Sequence, residues 1–229
     1  MAALAIFGLV ADDERTCADA LDEKSAATRP PDCPPLDDKQ AGALVDRTLP
    51  ESRPQNFRAN LRRPTASEIG RFRTKNDFVP EDYAVHVTGR FTGTTDDIIE
   101  WAAWKWGIDE DLLRAQAQHE SGWLSAARGD RGLSIGVMQL KRTVHKGTFP
   151  LSAESTAFNV DYYGAVFRYY YDGRATWLND VEHGQPYEAG DAWGVLGAHF
   201  AGRWYTPGAT AYIAKVKRVL AERRWDAGA

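Results

Sequence analysis

Residues 117–123 read AQHESGW and set His119 and Glu120 side by side at the end of an apolar-faced helical pattern, just before a glycine. With about 100° of turn per residue, Glu120 falls above Leu113, two turns earlier, and close to Gln116, which places it on the inward stripe. It also sits in the last turn, where helix carbonyls present negative potential. Burial and dipole both disfavour the anion, so both raise the pKa. A carboxylic acid that keeps its proton near neutral pH can act as the general acid that cleaves a glycosidic bond. The bland alternative is a surface glutamate at a frayed helix end. His119 points about 100° away from the stripe and reads as structural.

Other chemistries lack their residue spacing. HESGW is not the zinc pattern HExxH, because position 123 is Trp, and His86, His145, His183 and His199 show no metal-ligand spacing. No GxSxG elbow and no GxxxxGK[ST] phosphate loop occurs. Cys17 and Cys33 are the only cysteines and fit no metal motif. In an exported protein they would form one disulfide; in the cytosol they would be spare thiols. No metal and no cofactor is expected.

The elements that must position Glu120 begin near residue 94. TTDDIIEWAAWKWG has Thr94 or Thr95 as N-cap, acids in the first turn and Gly107 as a stop; IDEDLLRAQAQHESG repeats the plan from Asp109 to Gly122. A glycine-punctuated loop, ARGDRGLSIG, follows. STAFNVDYYGAVFRYYYDG, EAGDAWGVLGAHFAGRW and TPGATAYIAKVKRVLAERRW read as three further helices, the last with Tyr212, Val216, Val219 and Leu220 on one stripe. No alternating strand pattern stands out. The chain therefore reads as a mainly α, single-core domain over 76–229. Residues 1–75 read as an irregular, partly disordered N-terminal tail broken by prolines, with a short helix around 37–47.

Bulk properties agree. The 229 residues are 43% hydrophobic and 26% charged, which suits one good core with an appendage, and no run is long enough to span a bilayer. A net charge of -4 argues against nucleic acid as a partner. MAALAIFGLVADDER has the outline of a signal peptide without its basic n-region, with Leu9-Val10-Ala11 as a cleavage site. This weak or truncated export signal gives an extracytoplasmic expectation, periplasmic or secreted.

The stretch ESGWLSAARGDRGLSIGVMQLK, from Glu120, resembles the signature of the SLT-type lytic transglycosylases, glycoside hydrolase family 23, which share a goose-type lysozyme-like fold. Glu120-Ser121 and Gly136-Val137-Met138-Gln139 match its Glu-Ser and Gly-x-Met-Gln. Asn159 and Gly164 match a later helix, and YIAKVKRVL resembles the closing Tyr-containing helix. The similarity covers about residues 95–225. The pattern is broken at two places: His199-Phe200-Ala201-Gly202 stands where relatives often have Tyr-Asn-Ala-Gly, and Asp130 stands where they often have Ser.

The resemblance implies a lysozyme-like helical fold and cleavage of peptidoglycan glycan strands by a monomer. Glu120, as single acid and base, would break the bond between N-acetylmuramic acid and N-acetylglucosamine and leave 1,6-anhydro ends. Ser121, Asp130, Gly136, Met138, Gln139, Tyr163 and His199 are the expected substrate-binding residues. Two other readings stay open: a hydrolytic muramidase or chitinase-like enzyme using Asp130 as a second carboxylate, and a non-catalytic peptidoglycan-binding module.

Overall fold

The computed structural model describes residues 16, 17, 21, 26–47 and 50–225. The apolar start read as an export signal, with its cleavage site, lies outside the described residues. The chain is mainly helical. In order come α1 (Asp38–Leu44), α2 (Phe57–Asn60), α3 (Ala66–Lys75), α4 (Glu81–Ala84), α5 (Thr95–Trp106), α6 (Glu110–Ser121), α7 (Leu151–Glu154), α8 (Thr156–Tyr171), α9 (Ala192–Ala201) and α10 (Pro207–Glu222).

Local chemistry sets the helix ends. Thr94 caps α5 in a reciprocal box with Asp97. The Asp109 carboxylate accepts the Leu112 N–H at 2.7 Å to start α6, which ends at a left-handed Gly122. Ser155 caps α8, the central helix. It is buried along nearly its whole length and packs against α5 and α9, so its polar residues Asn159, Asp161 and Arg168 are buried with it and must find partners inside the protein. Gly164 lets α5 approach: a Cβ there would lie 2.1 Å from Cδ1 of the fully buried Trp106. Helix α10 closes the domain against α9 and α6.

Between α6 and α7 the chain forms a small antiparallel sheet, β1 (Arg128–Gly129), β2 (Ser134–Ile135) and β3 (Leu140–Lys141), in that spatial order. Ser134 pairs with Gly129 on one side and Lys141 on the other. The sequence reading expected no strand here. Strands of two residues are too short for a period-two pattern to register.

The N-terminal segment differs most from expectation. Residues 26–47 and 50–75 are not an irregular tail, and position 76 is no boundary: Ala26, Ala41, Ile69 and Phe72 pack in the same apolar cluster as Trp101, Trp106 and Val166. The short helix expected around 37–47 is α1. It and α3 each start with a reciprocal capping box, Asp37 with Gln40 and Thr65 with Glu68. The prolines fall in the connections and at helix starts, where a missing N–H costs nothing.

Residues 26–36 cross the ends of α5 and α8. The buried Arg29 guanidinium donates to the carbonyls of Lys105 (2.9 Å) and Pro34 (3.0 Å). Arg168 on α8 donates back to the carbonyls of Arg29 (3.0 Å) and Pro30 (2.8 Å). Cys17 and Cys33 are joined in a disulfide, Cα atoms 5.7 Å apart.

A polar knot ties this segment to the core. Asp161 on α8 has no exposed surface. It accepts Trp106 Nε1 at 2.7 Å, Lys105 Nζ at 3.0 Å, and the backbone N–H groups of Thr88 and Gly89 at 2.8 and 2.9 Å. Lys105 Nζ also meets Asp38 of α1 at 2.7 Å. Removing one member of a buried ion pair strands the other's charge. Lys105→Ala is therefore expected to lower unfolding free energy by about 3–5 kcal/mol in urea titration, with α1 freed to proteolysis.

Candidate functional site

Glu120 occupies the last turn of α6, as its helical phase requires. It lines a groove of about 360 Å³ together with Gly129, Asp130, Ser134, Gln139, Lys141, His145, His199 and Phe200. Its side chain is 13% exposed, enough to meet a substrate but not to be hydrated as an anion. Loss of solvent pushes its pKa up to about 7; hydrogen bonding from Tyr212 opposes the rise and the negative Asp130 adds to it.

Tyr212, on α10, donates its phenolic proton to Glu120 Oε1. The phenol is buried, and burial together with the nearby carboxylate keeps it protonated. With Oε1 taken, the acid proton of Glu120 belongs on Oε2. His119 packs edge-on against the Tyr212 ring at 5.2 Å, which gives that histidine a structural task.

A second raised carboxyl clarifies what makes Glu120 distinct. Burial also pushes Glu100 to about 7, but it accepts the Asp46 N–H at 2.9 Å, has Arg114 at 3.6 Å and does not line the groove.

The turn after Glu120 is held from the N-terminal segment. Arg53 Nε donates to the Gly122 carbonyl at 2.9 Å. The buried Asn56 amide donates to the Trp123 carbonyl at 2.6 Å, and its oxygen accepts Ser125 N–H at 2.9 Å. Trp123 adopts a φ of 68°, a conformation that such outside bonds must sustain.

The expected site residues divide into two groups. Asp130, Gln139 and His199 join Glu120 in the groove. Asp130 is exposed and accepts Ser134 Oγ at 2.9 Å, with Lys141 Nζ at 3.3 Å; both hold its carboxyl below the ordinary range, so it is ionised. Gln139 spends its amide on the Gly136 carbonyl at 2.7 Å, which leaves its side-chain oxygen as an acceptor. His199 Nε2 donates to the Met138 carbonyl at 3.1 Å and lies 4.0 Å from Glu120 Oε1. That bond fixes the tautomer. Burial lowers its pKa to about 4, so the ring is neutral, and Nδ1 is left as a buried acceptor with no partner.

Ser121, Gly136, Met138 and Tyr163, expected in the same site, are not among the residues that line the groove. Ser121 Oγ turns back to the Ala117 carbonyl at 3.2 Å. The Met138 side chain is wholly buried, and only its carbonyl serves the site, through His199. Gly136 has a φ of 77°, and a Cβ there would lie 2.4 Å from the Asn159 amide nitrogen. Asn159 needs that space: it accepts Met138 N–H at 2.9 Å and donates to the Ile135 and Ser152 carbonyls at 3.0 Å, pinning the loop to α8. Tyr163 is fully buried behind the site and donates to Gln116 Oε1.

Sequence reasoning missed Tyr212 as a partner of Glu120. The available signal was its place on the inward stripe of the last helix, which reads as core packing. It also gave His145 no role; that ring lines the groove, bonded through Nδ1 to Tyr162 Oη at 3.1 Å. Among the described residues, no group of three or more His, Cys, Asp or Glu side chains is arranged to hold a metal ion.

Compared with protein-family models, curated proteins and solved structures, the chain finds no match in any of the three.

Tyr212→Phe removes the donor that stabilises ionised Glu120. Its pKa is then expected to rise above about 7, read by NMR titration of the Glu120 carboxyl carbon.

Proposed function

We propose that the protein is a lytic transglycosylase on a lysozyme-like helical fold that cleaves peptidoglycan glycan strands, with Glu120 as both acid and base. The observation that carries this reading is a carboxyl group, pushed to about 7 by burial, at the edge of an open polar groove. The resemblance of Glu120-Ser121 and Gly136-Val137-Met138-Gln139 to the family signature supplies the substrate class.

The steps balance on one residue. Glu120 Oε2–H gives its proton to the glycosidic oxygen as the C1–O bond breaks. The carbonyl oxygen of the substrate's own N-acetyl group stabilises the electron-poor C1, so no second carboxylate is needed. The Glu120 carboxylate then takes the proton of the C6 hydroxyl of the same sugar, whose oxygen bonds to C1. The product is a 1,6-anhydro end, and the acid is restored without consuming water. Tyr212 supports both stages: it keeps Oε1 occupied and stabilises the transient anion.

Peptidoglycan lies outside the cytoplasm, and a bonded Cys17–Cys33 pair suits an oxidising compartment. No helix among the described residues is long and apolar enough to cross a membrane.

Glu120→Gln is expected to cut turnover of purified peptidoglycan by at least about 10²–10⁴-fold, and mass spectrometry of wild-type digests to show 1,6-anhydro-muramyl ends. Equal digestion by both proteins sinks the mechanism; wall binding without digestion by either would make the protein a binding module. Because the acid must start protonated, wild-type turnover is expected to fall as pH rises past about 7.

A hydrolytic reading draws on one observation: ionised Asp130 lines the same groove. Asp130→Asn decides between the two. For the transglycosylase, turnover and anhydro products persist; for the hydrolase, reducing ends appear in wild-type digests and the substitution removes about 10²-fold or more of the rate.

A further inference from the structure

Phe200 is a large apolar side chain left on the surface, 57% exposed, in the last turn of α9. It lines the same groove as Glu120. One face of its ring is spent: it stacks on Tyr212 with centroids 4.6 Å apart and planes 10° from parallel. Tyr212 is itself buried and gripped edge-on by His119, so the ring beneath Phe200 is fixed. The exposure of Phe200 therefore belongs to its outer face and edge.

Most of the remaining lining is polar or charged. Gly129, Asp130, Ser134, Gln139 and Lys141 come from the small sheet and its turns. Within that lining the Gln139 side-chain oxygen is an unused acceptor by the geometry above. A groove with one flat apolar surface and a polar remainder matches a pyranose ring, which has a C–H face and a hydroxyl and amide edge. Flat apolar surface in an otherwise polar groove gains most by covering with a ligand of the same division.

We propose that Phe200 is a stacking platform for a β-1,4-linked N-acetylhexosamine ring of the glycan, the ring's C–H face lying on the phenyl. This rests on the glycan-cleaving reading of the same groove. It makes Phe200 a substrate-binding residue placed one position from His199 and stacked directly on the tyrosine that bonds Glu120. The family pattern has Asn at this position, so the contact is one of surface rather than of hydrogen bonding.

The test is calorimetric titration of the hexamer of β-1,4-linked N-acetylglucosamine into Glu120→Gln, which binds without cleaving. The double variants Glu120→Gln/Phe200→Ala and Glu120→Gln/Phe200→Tyr are compared with it. Alanine is expected to weaken binding about tenfold, equivalent to 1.4 kcal/mol, and tyrosine to retain it; with Glu120 intact, Phe200→Ala raises KM on wall glycan and leaves the pH profile in place.

Equal affinity for the alanine and phenylalanine forms overturns the platform, as does binding by none of the proteins. A moved pH profile with unchanged affinity also overturns it, making Phe200 a cover for Tyr212. If wild type cleaves wall but Phe200→Ala binds equally well, the platform fails and the lytic reading stands. If wild type yields no cleaved ends while binding still depends on Phe200, the lytic reading fails and the platform stands.

Discussion

The arrangement of this chain depends on a carboxylate that water cannot reach. Asp161 collects two backbone N–H groups, an indole and an ammonium, which come from the turn at Thr88–Gly89 and from the end of α5. Through Lys105 the same knot holds Asp38 and so α1. Such a group is worth little as an isolated ion pair, because desolvation consumes most of the attraction. Its effect is directional. Only one docking of α1, α5 and α8 satisfies all its partners, and every other docking leaves a charge buried and alone.

Two residues earlier on α8, Asn159 does for the loop what Asp161 does for the helices. Its amide fastens Ile135 and Met138, and the Met138 carbonyl in turn orients His199 beside Glu120. The groove thus inherits its shape from α8, while its acid is set by α6 and α10. Within it the two carboxyl groups are driven apart. Glu120 loses solvent and keeps its proton to about pH 7, whereas exposed Asp130 is held ionised by Ser134 and Lys141. Divergent environments are how one protein assigns different roles to chemically similar groups.

The legible parts of this structure were those written in neighbouring residues. Thr94 with Asp97, Asp109 before its acids and the glycines at 107 and 122 all act within one turn, so helix ends could be read directly. The phase that put Glu120 on the inward stripe is equally local. What was not legible depends on distant partners. Nothing near Arg29 announces that its guanidinium bonds the carbonyl of Lys105, and a proline-rich composition hid the packing of residues 26–47 and 50–75. Tyr212 looked like core, because a stripe of apolar residues does not reveal a carboxyl group 92 positions away. Met138 and Tyr163 differ in the opposite sense: chemistry-bearing side chains near Glu120 turned out to be packing, with only a carbonyl and a buried phenol contributing.

The strap of residues 26–36 has a consequence for how the chain comes to be folded. The Asp32 N–H waits for Asp172, 140 residues later, and Arg29 waits for Arg168. During synthesis at ribosomal speed that interval is roughly 10 s. For the first half of that time the strap has no surface to lie on; the end of α5 then offers Lys105 and Gly107, and the helix that completes the seat, α8, comes last. A nascent chain of this design cannot close its strap until α8 has been made, so topology alone makes this part of the fold a late one.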